Sequence, residues 1–427
     1  MPRAQSRAYN VVGEPRATSE ATPRFRVCAR TLDDVATTPP TTPSTRGGTS
    51  RPRRGNRGYL VAAAILIAVA VGAVIVGART DPSKVAGPVD TAHLTVGPSA
   101  PAVDTADWIN SPPLTQADLR GKVVLYDFWT YSCINCVRTF PYIRSWFDRY
   151  TANGLVVVGI HTPEFDFEKV HKNVEAAVKR DDVTWPVAID NDMRIWNKFK
   201  NNSWPADYVA DQSGHIRYQS VGEGGYLDAE NVIRKLLHVS PNSPRADPNV
   251  TRDDATSDLN SNPETYLGLR YQNPSAPLIA VQAGSHDYPA PPVGSVEAPV
   301  LVGGGHIAVA PNKVAGALVG KWTAGEEAVT SDANAATILL GVHAKEVNLV
   351  MATKTGKPID AVVQLDGLPV PPAARGSSLH EDANGRTIVT VNAPDMYRLL
   401  LNPTVVNHVI SISATAPGLV AYDFTFG

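Results

Sequence analysis

Two cysteines three positions apart, Cys133 and Cys136, with Ile134 and Asn135 between them, are the residues best suited to do chemistry. A cysteine that opens a helix meets unpaired backbone N–H groups and the positive end of the helix dipole. Both favour the thiolate, which predicts a Cys133 pKa drawn from ~8.5 toward ~3.5–7.5. A second cysteine one turn on can close a small disulfide with the first. Cys133 would then attack a substrate disulfide, and Cys136 would attack the mixed disulfide and release the reduced substrate. Run backwards, the same pair oxidises. Two blander uses compete. A zinc site needs four ligands, but no second cysteine pair exists and the next histidine is His161. A structural disulfide over so short a loop stabilises little. The chain has three cysteines, too few for a disulfide-stapled scaffold. Neither a metal nor a cofactor is expected.

The elements around the pair must hold it at the start of a helix. Val123–Trp129 is a continuous apolar run, as in a buried parallel strand, and Cys133 to Tyr150 reads as the helix it feeds. Leu155–Ile160 is a second buried strand. Phe167–Lys179 is a helix with Val170, Val174 and Val178 on one face. Trp185–Ile189 is a third strand and Met193–Phe199 a short helix. Ala206–Ala210 and His215–Gln219 flank the turn Asp211–Gly214. Tyr226–Leu237 closes as a helix. Alternating strands and helices with an antiparallel end predict an α/β fold.

The segment Asp127-Phe-Trp-Thr-Tyr-Ser-Cys-Ile-Asn-Cys136 resembles the active-site strand, loop and helix of the thioredoxin superfamily. An acid six residues before the first cysteine, here Asp127, and a proline five after the second, here Pro141, belong to that pattern. The resemblance implies a buried Asp127 that helps move the proton of the second thiol. It implies an active-site tryptophan at Trp129, and a cis-proline at Pro205, after Trp204, that pairs its backbone with the substrate. The phrases Leu119-Arg-Gly-Lys122 and His161-Thr-Pro-Glu164, and the extra segment 161–199, are similar to the extracytoplasmic TlpA/ResA and DipZ branch. His161 and Glu164 follow a strand's C-terminal end, where α/β sites form, and are expected to tune Cys133. DipZ-type proteins carry their own multi-helix electron-transporting domain, which this chain does not show. The resemblance therefore implies a separate CcdA/DsbD-like membrane electron donor.

Residues 1–58 hold 11 Arg, no Lys and four acidic residues, so +7 of a total of −2, leaving −9 for the rest. An acidic main body argues against nucleic acid as a partner. The basic tail is rich in Pro, Thr, Ser and Gly and reads as disordered. Residues 59–78 contain no charge and are long enough to cross a ~30 Å hydrocarbon core. Arginines cluster just before them, which places the tail in the cytoplasm and the remainder outside, attached to the cell membrane by a single pass. A cleaved signal peptide is the competing reading. Cys28 falls in the tail and is read as an incidental thiol.

Residues 79–106 are expected as a spacer, 107–239 as the thioredoxin-like domain and 240–262 as a second linker. Residues 263–427 carry short runs at Leu278–Gln282, Thr337–Leu340, Val347–Met351, Ala361–Leu365, Thr387–Val391, Val409–Ala414 and Leu419–Phe426. They predict an all-β sandwich or jelly roll. Glu264-Thr-Tyr-Leu-Gly268 and Phe424-Thr-Phe-Gly427 are similar to the carbohydrate-binding-module-like domain of DipZ-type proteins. A cell-envelope glycan would need exposed aromatics, from among Trp322, Tyr266, Tyr271, Tyr288 and Tyr397. The leading expectation is a membrane-anchored reductase of extracytoplasmic protein disulfides. A thiol peroxidase and a non-enzymatic envelope-binding protein are the alternatives.

Overall fold

The run Val123–Trp129 is buried at all seven positions, as a strand between two layers of helices must be. It is the centre of the thioredoxin-like domain of a computed structural model that describes residues 90–246, 262–272, 278–302 and 306–427. The tail with Cys28, the segment 59–78 and most of the second linker lie outside the described residues. Among the described residues no helix is long and apolar enough to cross a membrane.

In chain order the domain comprises β1 (Trp108–Ile109), α1 (Gln116–Leu119), β2 (Val123–Trp129), α2 (Ile134–Tyr150), β3 (Leu155–His161), α3 (His171–Arg180), β4 (Val187–Ile189), α4 (Arg194–Phe199), β5 (Ala206–Ala210), β6 (Ile216–Val221) and α5 (Tyr226–Leu236). The six strands lie in the order β1-β4-β3-β2-β5-β6. β2, β3 and β4 are parallel, and β5 and β6 are antiparallel to their neighbours. One face packs Trp129, Phe140, Trp146 and Trp185 beneath α2 and α5. The other packs Phe128, Trp196, Phe199 and Tyr208. Each such side chain is worth about 1.5–3 kcal/mol when fully buried.

Two expectations shift locally. The helix expected over Phe167–Lys179 is broken: a 3-10 turn covers Asp166–Lys169 and α3 starts at His171. Val174 and Val178 are buried, but Val170 is 49% exposed because it caps α3 at the break. Part of the expected spacer is also laid against the domain. Gly97 and Ala100 donate N–H bonds to Ile216 and Gly214 at 2.8 Å, and Val103 is buried.

The C-terminal half forms a large β-sheet structure, with eleven strands linked in one hydrogen-bonded sheet. Several runs that read as short strands are parts of long ones. Thr337–Thr353 absorbs two of them and Asp395–Ala414 a third. The first half of Thr337–Thr353 pairs with Gly316–Val319 and the second with Leu419–Phe426. A register shift between Ala344 and Glu346 marks the change of partner. Such bulges bend a strand, which lets one strand serve both parts of the sheet around a shared core of Trp322, Leu349, Leu399 and Phe424. Leu278–Gln282 is not a strand; Ile279 is buried in the core without one. The described residues form one compact unit.

Candidate active site

Cys133 is the N-cap of α2. Its backbone is extended, at φ −84° and ψ 109°, and its sulfur accepts the Cys136 N–H at 3.2 Å. This is the helix-start placement expected of the pair. Both cysteines are free thiols, Cys133 half-buried and Cys136 buried. A half-open first sulfur and a sealed second one suit attack from outside followed by internal resolution.

The thiol ionisation differs from the expectation. Burial pushes the Cys133 pKa up. The Cys136 contact opposes this, and the Glu264 and Glu164 carboxylates add to the rise. The helix terminus therefore does not win, because the sulfur is partly withdrawn from water and faces negative charge. Cys136 lies well above the ordinary thiol range, by burial first, then by Cys133, with Asp127 adding.

The loop before Cys133 is tied down by a carboxylate that the sequence reading passed over. The Ser132 hydroxyl donates to Glu168 Oε1 at 2.6 Å, and the Glu164 and Phe165 N–H groups donate to Glu168 Oε2 at 2.7 and 3.0 Å. Glu168 is fully buried. It thus holds the loop after β2 against the loop after β3.

Asp127 is fully buried, and neither of its oxygens has a partner among the described residues. Burial and the charge of Asp207 push its carboxyl well above the usual range. Asp207 is paired with Asp127 in the β2–β5 register, and burial raises it to about 7. A carboxylate in the otherwise apolar strand Ala206–Ala210, two residues after Pro205, was the signal for this residue.

The Trp204–Pro205 peptide is cis. The Pro205 carbonyl accepts the Gly222 N–H at 2.8 Å. The Trp204 indole N–H donates to Thr162 O at 3.1 Å and its ring lies 4.3 Å from that of Trp196. Trp129 is buried, edge-on to Phe140 at 5.2 Å and to His161 at 5.0 Å. His161 is fully buried, and burial lowers its pKa to about 3. It is neutral at physiological pH and lies 3.4 Å from the Thr130 hydroxyl, so it packs the site without carrying charge.

Glu164 faces the β-domain. The Tyr266 hydroxyl lies 2.6 Å from Glu164 Oε1 and 3.0 Å from Glu264 Oε2. Further contacts bind the two halves around the pair. Arg138 of α2 reaches Glu346 at 2.7 Å and the Phe426 carbonyl at 3.3 Å, with Glu223 at 3.1 Å on its other side. Tyr131 donates to Pro394 O at 3.4 Å, and Tyr422 packs on Phe165 and Phe167. Glu264 and Asp423 were not read as site residues, and Tyr266 was considered only for glycan stacking. Glu264 and Tyr266 belong to a phrase noted only as a likeness. Of the five aromatics considered for a glycan, Trp322 and Tyr397 are buried, Tyr266 serves this contact and Tyr288 packs on the core. Tyr271 is 40% exposed, with Arg270 over its ring.

Residues 96–219 match the AhpC/TSA family, and residues 306–427 match a family described as thioredoxin like C-terminal domain. Protein DipZ of Mycobacterium bovis and of Mycobacterium tuberculosis is 36% identical over 274 residues, 61% of this chain and 37% of theirs. The chain thus spans well under half the length of these relatives. Thiol-disulfide oxidoreductase YkuV of Bacillus subtilis is 27% identical over 130 residues, 30% of this chain and 87% of YkuV. A crystal structure of the thioredoxin-like superfamily protein SPOA0173 is 24% identical, with a TM-score of 0.31, covering 33% of this chain and 97% of that one. Residues 96–219 are accordingly a thioredoxin-like domain of the AhpC/TSA family, in a chain homologous to DipZ and to thiol-disulfide oxidoreductases.

Proposed function

We propose that the protein reduces disulfides in other proteins through Cys133 and Cys136. The observation that carries this reading is the N-cap placement of a half-buried Cys133 thiol with a sealed Cys136 thiol one turn behind it. The direction follows from the ionisation. Strong oxidants stabilise the reduced pair as a thiolate. Here burial and the carboxylates oppose that thiolate, which favours the disulfide form and so makes the dithiol a good electron donor. The same charges disfavour a peroxidase, whose attacking thiolate needs stabilising. Arg138 is engaged by Glu223 and Glu346.

In this reading the uncharged segment 59–78 anchors the chain, the active site lies outside the cytoplasm, and a separate membrane donor returns two electrons after each turnover. These parts rest on the sequence pattern and on the likeness to the extracytoplasmic branch. The test is reduction of a disulfide-linked model protein such as insulin by the dithiol form. Turnover that survives Cys133→Ser would defeat the proposal.

A further inference from the structure

A strip of β-domain strand is tied down on both sides of Cys133. Along Thr337–Thr353, Val347, Leu349 and Met351 belong to the β-domain core. Glu346, Asn348 and Val350 alternate with them and point the other way. The outer face of an antiparallel sheet commonly meets water, yet Asn348 is 0% and Val350 1% exposed. At one end of the strip Glu346 reaches Arg138 of α2 at 2.7 Å. At the other end Met351 pairs with Asp395, which is bonded to Arg180, and the Pro394 carbonyl accepts from Tyr131 at 3.4 Å. Glu346 to Val350 spans about 13 Å of extended chain. Tyr131 stands two residues before Cys133 and Arg138 five after it. The strip therefore crosses the start of α2 with Cys133 between its two attachments.

The loop after β3 is closed by the same domain. Tyr422 packs on Phe165 at 5.1 Å, and the Asp166 N–H donates to Glu327 at 3.0 Å. The loop before β5 is different. Phe128 pairs with Ala206, so this loop leaves the sheet beside the loop that carries Cys133. Asn202 is exposed there, and Ser203 and Trp204 are half-buried. We propose that the β-domain makes the active site a slot, open beside Trp204, that selects disulfides on extended, flexible polypeptide segments over those held in compact domains. This deepens the disulfide-exchange reading above and rests on it. Cys133 bonds to one substrate sulfur as the substrate S–S bond breaks, and Cys136 then displaces it, so two electrons and two protons pass to the substrate. Both substrate sulfurs must enter the slot with the chain that bears them. An extended chain beside a strand needs about 5 Å. A folded domain of about 100 residues has a radius of gyration near ~13 Å, as large as the strip is long, and meets the strip before it meets Cys133. The two short chains of insulin fall on the permitted side.

The test is alkylation of Cys133 in the reduced full chain by maleimides of different bulk. One is N-ethylmaleimide, one ends an unstructured peptide, and one sits on a folded carrier of the same mass as that peptide. Rates at Cys133 are read by mass mapping and divided by each reagent's rate with glutathione. The first two should agree within about threefold, and the carrier should be at least about tenfold slower. Glu346→Arg with Asp395→Arg sets each position against an arginine and should bring the carrier's rate toward the peptide's. A wild-type carrier rate within about twofold of the peptide's, or an undiminished handicap in the double variant, would overturn the proposal. Disulfide reduction is read separately, with native and scrambled ribonuclease compared relative to dithiothreitol. The scrambled form should be favoured, and equal reduction of both would also overturn the selectivity. Exclusion of the carrier with reduction of neither form would sink the exchange reading and leave the slot standing.

Discussion

Asp127 and Asp207 stand opposite each other across the antiparallel β2–β5 pair, both buried and both with carboxyl oxygens lacking a partner among the described residues. Like charges so placed cannot both ionise cheaply. The folded protein keeps protons that the unfolded chain would release. Asp207 rises from 3.8 to about 7. Its contribution to stability is therefore full below pH 3.8 and lost as pH rises through about 7. At most this is on the order of 4 kcal/mol. Asp207→Asn is predicted to flatten the decline of thermal stability over that window. Melting curves at a series of pH values check it, and an unchanged slope would contradict it.

The charge of Asp127 adds to the rise of the Cys136 thiol. A neutral amide there cannot accept the Cys136 proton. Asp127→Asn is predicted to slow resolution of the mixed disulfide while leaving the first attack by Cys133 nearly intact. Rapid acid quench and separation of the adduct would show it accumulating. Equal slowing of both steps would argue against this division of labour.

The two thiols should separate cleanly by substitution. Cys136→Ser is predicted to trap substrates as adducts on Cys133, visible on non-reducing gels. Cys133→Ser should trap none, since Cys136 is sealed from solvent. Adducts on Cys136 alone would reverse the order of attack.

Glu168 satisfies one hydroxyl and several N–H groups in two loops. Glu168→Ala strands these buried donors and is predicted to cost about 2–4 kcal/mol. Exchange should fall too, because the loop that presents Cys133 loses its anchor. Urea unfolding and insulin reduction together test this. A stable but slow variant would assign Glu168 to positioning alone.

Arg138 ties α2 to Glu346 and the Phe426 carbonyl, and neutralises Glu223, whose side chain is 2% exposed. Removing one partner of a buried ion pair costs about 3–5 kcal/mol. Arg138→Ala is predicted to lower stability by that order and to make the two halves melt in separate transitions. A single, unshifted transition in calorimetry would show that the pair contributes little.

The fold around the pair was legible because its signals are local. β2 and β5 have the ranges read from their apolar runs, and Cys133 begins the helix that its position implied. The break at Val170 was not legible, since it depends on Glu168 turning inward to distant N–H groups. The two long strands of the β-domain were cut short because their polar stretches, such as Asn402–Asn407, read as turns. The site itself was half visible. Cys133 and Cys136 announce themselves by spacing, and Asp127 and Pro205 were found through the resemblance of the segments around them. Tyr266 meets Glu164 only when two halves of the chain come together, and no spacing within one half encodes that. The Cys133 ionisation was misjudged for the same reason: the helix terminus is local, whereas the opposing carboxylates are not.

The reduction potential of the Cys133–Cys136 couple tests the central claim most directly. The reduced full chain would be equilibrated in thiol redox buffers and its free thiols counted by alkylation. With the Cys133 thiolate opposed by burial and by Glu264 and Glu164, the account predicts a value near ~−270 mV or below, that of a reductase. A value near ~−120 mV, that of a strong oxidant, would contradict it.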